Sequence, residues 1–298
     1  MKVCGKNIKV WGRLVRIAGP ELDKYEPLGD PELVLNHLAK SDVRIDLFTF
    51  MQIMPESSPK YSYYMEWDNL AVLPVSTFDQ WWNRQILSTP RNRARQAAKK
   101  GITIREVPFD DSLVEGIWEV YNESPVRQGK PNAHYGKDIQ TVRAEEATFL
   151  DRSFFIGAFL GQELIGFVKL VTDENRIHAN LMNIVSMVKH RDKAPTNALI
   201  AESVRLCAER GIRYLAYQNF TYAHRKRDSL TTFKEINGFQ RVDLPRYYVP
   251  LTAIGWIALR LGLHHRLVDR LPESIACRLR DLRSAWYNRK LLSATQAP

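Results

Sequence analysis

The sequence predicts an α/β (α+β) protein with a central mixed sheet flanked by helices, and three observations predict it. First, Phe154 to Leu160 and Leu164 to Val171 are apolar runs on either side of Gly161-Gln162-Glu163. Two buried strands joined by a short glycine-containing turn make a β-hairpin. Second, the segments between residues 111 and 250 run helix, hairpin, strand, helix, strand, helix, strand. Third, the 298 residues are 45% hydrophobic and 26% charged, with only 15 Gly and 15 Pro. That composition supplies a core and excludes disordered, collagen-like and low-complexity classes.

The elements follow in order. Ile8 to Ile17 reads as a strand. Asp30-Pro31 opens a helix to Ala39, with Leu33, Val34 and Leu38 at helical spacing. Met54 to Lys60, with two prolines and two serines, is a loop, and Thr77 can cap a helix carrying Phe78, Trp81 and Trp82. Seven basic residues from Arg84 to Arg105 are uninterrupted by an acid; Pro90 suits the first turn of a helix there and Gly101 its end. A solvated helix face accounts for this run as well as a functional one does. Ile102 to Val107 alternates as a strand, and Asp111 to Tyr121 has helical spacing. Beyond the hairpin, Ile177 to Val188 reads as a strand, Pro195 opens a helix closed by Gly211, Ile212 to Phe220 is a strand, and Ser229 to Ile236 a short helix. A last strand lies near Arg246 to Val249. Three regions are expected: a reduced N-terminal α/β unit (1–90), the main domain (91–250) and a C-terminal helical tail (251–298).

The formal net charge is +10, which favours anionic partners without choosing among nucleotide phosphates, tRNA and acidic lipid. Cys4, Cys207 and Cys277 are far apart and form no C-x-x-C pair, so neither a disulfide framework nor a zinc site is expected. No apolar run approaches the roughly 20 residues of a membrane span. A reduced, cytoplasmic protein is expected. From Leu251 onward, Ile254, Trp256, Ile257, Leu259 and Leu261 mix with eight basic and three acidic residues. Such a basic amphipathic tail either lies at a membrane interface, giving a peripheral position at the inner face, or docks on protein.

Three short segments resemble one family. Arg91-Asn92-Arg93-Ala94-Arg95-Gln96-Ala97-Ala98-Lys99-Lys100-Gly101-Ile102 looks like a basic helix running into K-K-G-[IV]. Tyr121 to Tyr135 holds Arg127-Gln128-Gly129 and His134-Tyr135, and Phe233 to Phe239 is similar to an F-K-x-x-x-G-[FY] element. Together with the element order over residues 97–250, these resemble the GNAT acyltransferases, and within them the Fem-type (FemAB-like) aminoacyltransferases. The resemblance implies a GNAT-like fold and transfer of an acyl, acetyl or aminoacyl group to an amine or hydroxyl of a small-molecule or cell-envelope precursor. The donor would be a co-substrate (acyl-CoA, acyl-carrier protein or aminoacyl-tRNA), with no tightly bound cofactor and no metal. It also implies a lipid-linked or small-molecule acceptor, with tRNA or a carrier protein as partner.

The resemblance carries a role in balancing phosphate or transition-state charge to Lys234; a surface lysine on an amphipathic helix is the plain alternative. Acetyl-CoA enzymes of this plan hold pyrophosphate on a glycine-rich loop before a helix. Here that stretch is Lys189-His190-Arg191-Asp192-Lys193-Ala194-Pro195-Thr196-Asn197, without the glycines. Lys189, Arg191, Lys193, Thr196 and Asn197 are the candidate donor contacts, and a donor bulkier than acetyl-CoA gains weight. His134, in a punctuated loop, ranks above His178 as proton acceptor. Strand alternation puts Asn180 and Asn183 on opposite faces, and Tyr217 with Asn219 on one face. Tyr217 is a catalytic candidate or a core aromatic. Arg127, Tyr135, Asn219, Arg225 and Arg227 are candidates for the acceptor side. A catalytically inactive, membrane-peripheral binding module is the alternative to an enzyme, and sequence-independent nucleic-acid binding rests on charge alone.

Overall fold

The computed structural model describes residues 1–127, 129–222, 228–265 and 273–287. In chain order the elements are β1 (Lys2–Val3), β2 (Lys6–Trp11), β3 (Ile17–Pro20), α1 (Pro31–Ala39), β4 (Leu47–Met51), β5 (Tyr64–Pro74), α2 (Phe78–Gln80), α3 (Ser88–Lys99), β6 (Ile102–Val107), α4 (Asp111–Asn122), β7 (Val126–Arg127), β8 (Lys130–Pro131), α5 (Ile139–Glu146), β9 (Ser153–Leu160), β10 (Glu163–Thr172), β11 (His178–Ser186), α6 (Pro195–Glu209), β12 (Tyr214–Ala216), α7 (Ser229–Ile236), β13 (Gln240–Pro250), α8 (Ala253–Arg260) and α9 (Glu273–Tyr287). None of the described helices is long and apolar enough to cross a membrane.

The chain divides into two compact units. The first comprises the described residues of Met1–Ala71, Gln218–Asp228 and Arg241–Leu271. Its strands run in the order β1-β2-β3-β4-β13-β5, with β3 and β4 parallel. Ile8 to Ile17, which alternation reads as one strand, is a hairpin. Gly12 turns at φ +88°, and a Cβ there would meet the Val15 carbonyl oxygen at 2.1 Å, a turn that only glycine fits. The core joins Val34, Leu35 and Leu38 of α1 to Phe48, Phe50 and Tyr247 of the sheet. Asp30 caps α1 through the Glu32 N–H, and Pro31 occupies its first turn.

The second unit comprises the described residues of Val72–Tyr217, Ser229–Gln240 and Pro272–Pro298. Its mixed sheet runs β5-β12-β11-β10-β9-β6, with β5 contributing Val72–Pro74. The predicted hairpin is β9 and β10, paired antiparallel from Leu160↔Glu163 to Ser153↔Val171. Pro195 does open α6, whose Leu199, Ile200, Val204 and Cys207 are fully buried. Asp110 caps α4 through the Leu113 N–H, and α4 buries Leu113, Val114, Ile117, Val120 and Tyr121. Each such apolar side chain contributes about 1.5–3 kcal/mol relative to exposure. The last predicted strand is longer than its sequence signal, spanning Gln240–Pro250, whereas Ile212 to Phe220 keeps strand geometry only at Tyr214–Ala216.

Candidate functional site

Two strands of the second unit part. The parallel pair β11 and β12 is joined only at His178↔Tyr214, Ala179↔Leu215 and Asn180↔Ala216. Past Ala216 the chain turns off at Gln218, which sits at φ 49°. The remainder of β11, Leu181 to Ser186, keeps its partners on β10 at every position but Met182 and has none on the β12 side. Burial follows: residues 178–181 are buried and 182–186 half-buried. Along that stretch β11 has no strand partner on the β12 side to take up its main-chain polar groups.

Lys234 stands where the strands part. It is fully buried, which excludes the plain surface reading. Its Nζ lies 4.8 Å from the ring centroid of Tyr217, the residue directly after the last paired position of β12. An ammonium over a tyrosine face gains from the ring quadrupole, more so when desolvated. Tyr217 packs in turn against Phe239 with centroids 5.8 Å apart. The end of α7 is fixed: Gly238 at φ +90° lets the Phe239 N–H reach the Lys234 carbonyl at 3.0 Å, and Trp81 Nε1 donates to the Asn237 carbonyl at 2.9 Å.

On β10 and β11 the structure assembles a polar cluster that the sequence did not reveal. Lys169 is fully buried, and its Nζ donates to the Glu146 carbonyl at 2.7 Å and to Thr148 Oγ1 at 2.9 Å. The Glu146 side chain, 1% exposed, accepts through Oε1 from the Tyr121 hydroxyl at 2.7 Å and Asn183 Nδ2 at 2.8 Å, while its Oε2 is buried without a hydrogen-bond partner. Burial pushes the Glu146 carboxyl above its usual range, with Tyr121, Lys169 and Asn183 opposing. Burial pulls Lys169 down to about 8, against the pull of Glu146. The Tyr121 hydroxyl is raised, first by burial and then by Glu146. The Tyr121 ring lies on that of His134, centroids 4.0 Å apart and 13° from parallel. Burial holds His134 below the ordinary histidine value, helped by Lys137 and opposed by Glu145, so the imidazole is neutral at pH 7 and can accept a proton.

Alternation put Asn180 and Asn183 on opposite faces, and the structure corrects this. Lys169 pairs with Asn183, but the next β10 residue, Leu170, pairs with Leu181, so Met182 is an extra residue. Asn180 pairs with Val171, two residues from Lys169, and the two asparagines share a face.

The candidate donor contacts gather between β11 and α6. Lys189 Nζ pairs with Glu163 Oε1 at 2.6 Å, and Lys193 lies 3.5 Å from Asp192 Oδ1. Both are surface pairs of small worth that an anionic ligand can displace. Glu123 accepts the backbone N–H groups of Val188 at 3.0 Å and Lys189 at 2.8 Å, so a carboxylate already holds two amides of this loop. Thr196 Oγ1 lies 2.9 Å from Ser186 Oγ, and the Asn197 N–H turns back to the Ala194 carbonyl. Arg191 is exposed. Arg127 donates to the Ser186 carbonyl; burial lowers its pKa, Glu123 raises it and Arg191 lowers it. Arg127 thus brings a positive charge to the open end of β11. Tyr135 is 40% exposed in the turn before α5. Asn219 belongs to the first unit, held by Lys24 and, at 2.8 Å, by Asp68 Oδ1. Arg225 and Arg227 lie outside the described residues.

Solved structures share this fold. The C-terminal domain of a protein described as a lysylphosphatidylglycerol synthetase, from Agrobacterium fabrum, is 16% identical over 87% of this chain and 86% of that one, with a TM-score of 0.55. FemX is 12% identical over 80% and 82%, with a TM-score of 0.53. L-PGS from Bacillus licheniformis is 13% identical over 87% and 86%, also at 0.53. No family model matches the chain, and no curated protein matches it. The likeness is one of fold.

Proposed function

We propose, from a GNAT-like fold of the Fem type, that the chain is an acyltransferase moving an acyl or aminoacyl group to an amine or hydroxyl of a small-molecule or cell-envelope precursor. One observation carries the reading: β11 and β12 part beside the buried side chain of Lys234. Acyl transfer needs an activated carbonyl held by backbone donors, and a cation where the tetrahedral oxyanion forms. The unpaired edge of β11 offers the donors and Lys234 the cation.

The acceptor's lone pair attacks the carbonyl carbon, and collapse of the oxyanion breaks the bond to the donor, which leaves as a thiolate or, for tRNA, as a hydroxyl that takes up the proton the acceptor gives away. The proton lost by the acceptor needs a neutral base, and His134 is held neutral by burial. Arg127, Tyr135 and Arg191 face the acceptor and donor ends as anion contacts in this reading. Glu123 already occupies two loop amides, which favours an aminoacyl-tRNA or a carrier-bound acyl group over acetyl-CoA gripped by its pyrophosphate.

The test is a donor panel of acetyl-CoA, acyl-carrier protein and aminoacyl-tRNA with a nucleotide-sugar and lipid acceptor mixture, reading thiol or free tRNA. Lys234→Met is expected to lower turnover about 10²- to 10³-fold, the range for loss of one oxyanion partner. Turnover equal in the variant, or absent with every donor, overturns the reading. A second reading, a binding module without turnover, is favoured by Glu123 filling the amide loop. It predicts ligand retention with no release of thiol or tRNA.

A further inference from the structure

A second constellation lies in the first unit and owes nothing to the acyl-transfer reading. Glu66 of β5 faces the turn that follows α8. That turn is built by backbone hydrogen bonds from Gly262 N–H to the Leu259 carbonyl (3.1 Å), Leu263 N–H to Ala258 (2.7 Å) and His265 N–H to Gly262 (3.1 Å). Gly262 sits at φ 65°. Reversal at this glycine brings two successive histidines, His264 and His265, back toward the sheet.

We propose that Glu66, His264 and His265 bind a divalent transition-metal ion, with zinc the best match. One ligand atom from each of the three lies within 4.8 Å of the other two. Glu66 Oε1 is 2.9 Å from His264 Nε2 and 3.2 Å from His265 Nε2. Zinc bound tetrahedrally at ~2.0–2.1 Å keeps neighbouring ligand atoms about 3.3 Å apart, so small side-chain adjustments suffice to admit the ion. Two imidazoles and a carboxylate form a nitrogen–oxygen set that suits zinc and is too nitrogen-rich for calcium or magnesium. Three protein ligands leave a fourth position for water or a ligand.

The surroundings fit a half-enclosed site. The His264 side chain is 1% exposed, between Tyr248 at 4.6 Å and Tyr64 at 6.5 Å between ring centroids. Glu66 and His265 are 26% and 30% exposed, which leaves a side for entry. The Tyr64 hydroxyl donates to Glu66 Oε1 at 3.2 Å and orients the carboxylate. His264 Nδ1 is buried without a hydrogen-bond partner. A ligand imidazole lacking its outer brace typically binds 10- to 100-fold more weakly, so the expected affinity is below that of a fully braced structural zinc site. Without metal, the same geometry is a carboxylate accepting two imidazole N–H groups, and the experiment separates the two.

Cys4 Sγ and His37 Nδ1, 3.6 Å apart and exposed, are a second place for zinc to lodge, so the full chain is tested as Cys4→Ser. Chelator-treated protein is titrated with cobalt(II), reading the visible bands of tetrahedral cobalt, and with zinc by calorimetry. One equivalent is expected to bind, with cobalt displaced by zinc. Glu66→Gln and His265→Asn should each weaken binding at least about tenfold. His265 is partly exposed, so its variant keeps the fold even if Glu66→Gln does not. Absence of one-to-one binding, or binding undiminished in folded His265→Asn, overturns the proposal.

Discussion

Lys169 and Asn183 stand opposite each other across β10 and β11, and both reach Glu146: Lys169 at its backbone carbonyl, 2.7 Å away, and Asn183 at its side-chain Oε1, 2.8 Å away. One residue at the end of α5 thereby ties a helix to both strands. The amide of Asn183 is the member of this cluster on the half-buried, open stretch of β11.

Replacing that amide by a second carboxyl tests the cluster. In Asn183→Asp two acids face each other in a dry setting, and one must stay protonated. A raised folded-state pKa contributes stability present below the unfolded carboxyl value near 4 and lost as pH rises through the folded value. Urea denaturation is expected to show the variant close to wild type near pH 4 and weaker by at least about 1–3 kcal/mol at pH 8.

Lys169 gives a second pH signature of defined sign. Its folded-state value of about 8 lies below the 10.5 of an unfolded lysine, so between these pH values the unfolded chain holds the proton more often. Stability from this group therefore rises with pH through that window and is lost as pH falls through about 8. The full difference corresponds to roughly 3 kcal/mol. The buried tyrosines work the other way above pH 10, so the comparison to make is wild type against Lys169→Met between pH 7.5 and 10. The variant should lack the upward slope.

Gly255 of α8 is a steric keystone. A Cβ there would sit 1.8 Å from the Asp46 carbonyl oxygen, and Asp46 is itself bonded to Thr252 Oγ1 and to the backbone N–H groups of Arg16 and Leu251. Gly255→Ala is expected to cost more than about 3 kcal/mol in urea denaturation, beyond ordinary overpacking, because the blocking atom is backbone.

The outer face of α8 gives a membrane prediction. Ile254, Trp256, Ile257 and Leu261 are 44–64% exposed, next to Arg260. Flotation with vesicles rich in anionic lipid should recover the full chain, and Trp256→Ala with Ile257→Ala should reduce recovery several-fold, given about 0.8 kcal/mol per buried methylene. Equal recovery of both proteins would assign that face to protein contact.

The elements with strong local signals were legible: the hairpin around Gly161, the Pro195 helix, and the α7 segment carrying Lys234. Each depends on neighbours in sequence, on caps, turns and periodicity. The Glu146 cluster was not legible, because it joins residues 121, 146, 169 and 183 from four elements. Moreover, α5 reads Ile139-Gln140-Thr141-Val142-Arg143-Ala144-Glu145-Glu146, which looks like a solvent-facing stretch. Its burial is imposed by packing: Val142 and Glu146, four residues apart, form the inward stripe. The same limit applies to Lys234. The motif picked out the residue, but only the fold showed a lysine with no exposure.

The unmatched residue at Met182 gives the strand a kink and no chemistry of its own. Substituting it with leucine or glutamine leaves the count unchanged and should be well tolerated. Deleting it would leave Leu181 and Asn183 opposite Leu170 and Lys169 in a regular ladder, so the amide would stay on the side of Glu146 and the strand would lose its local kink. The extra residue shapes the path of the strand, and its thioether merely fills that place.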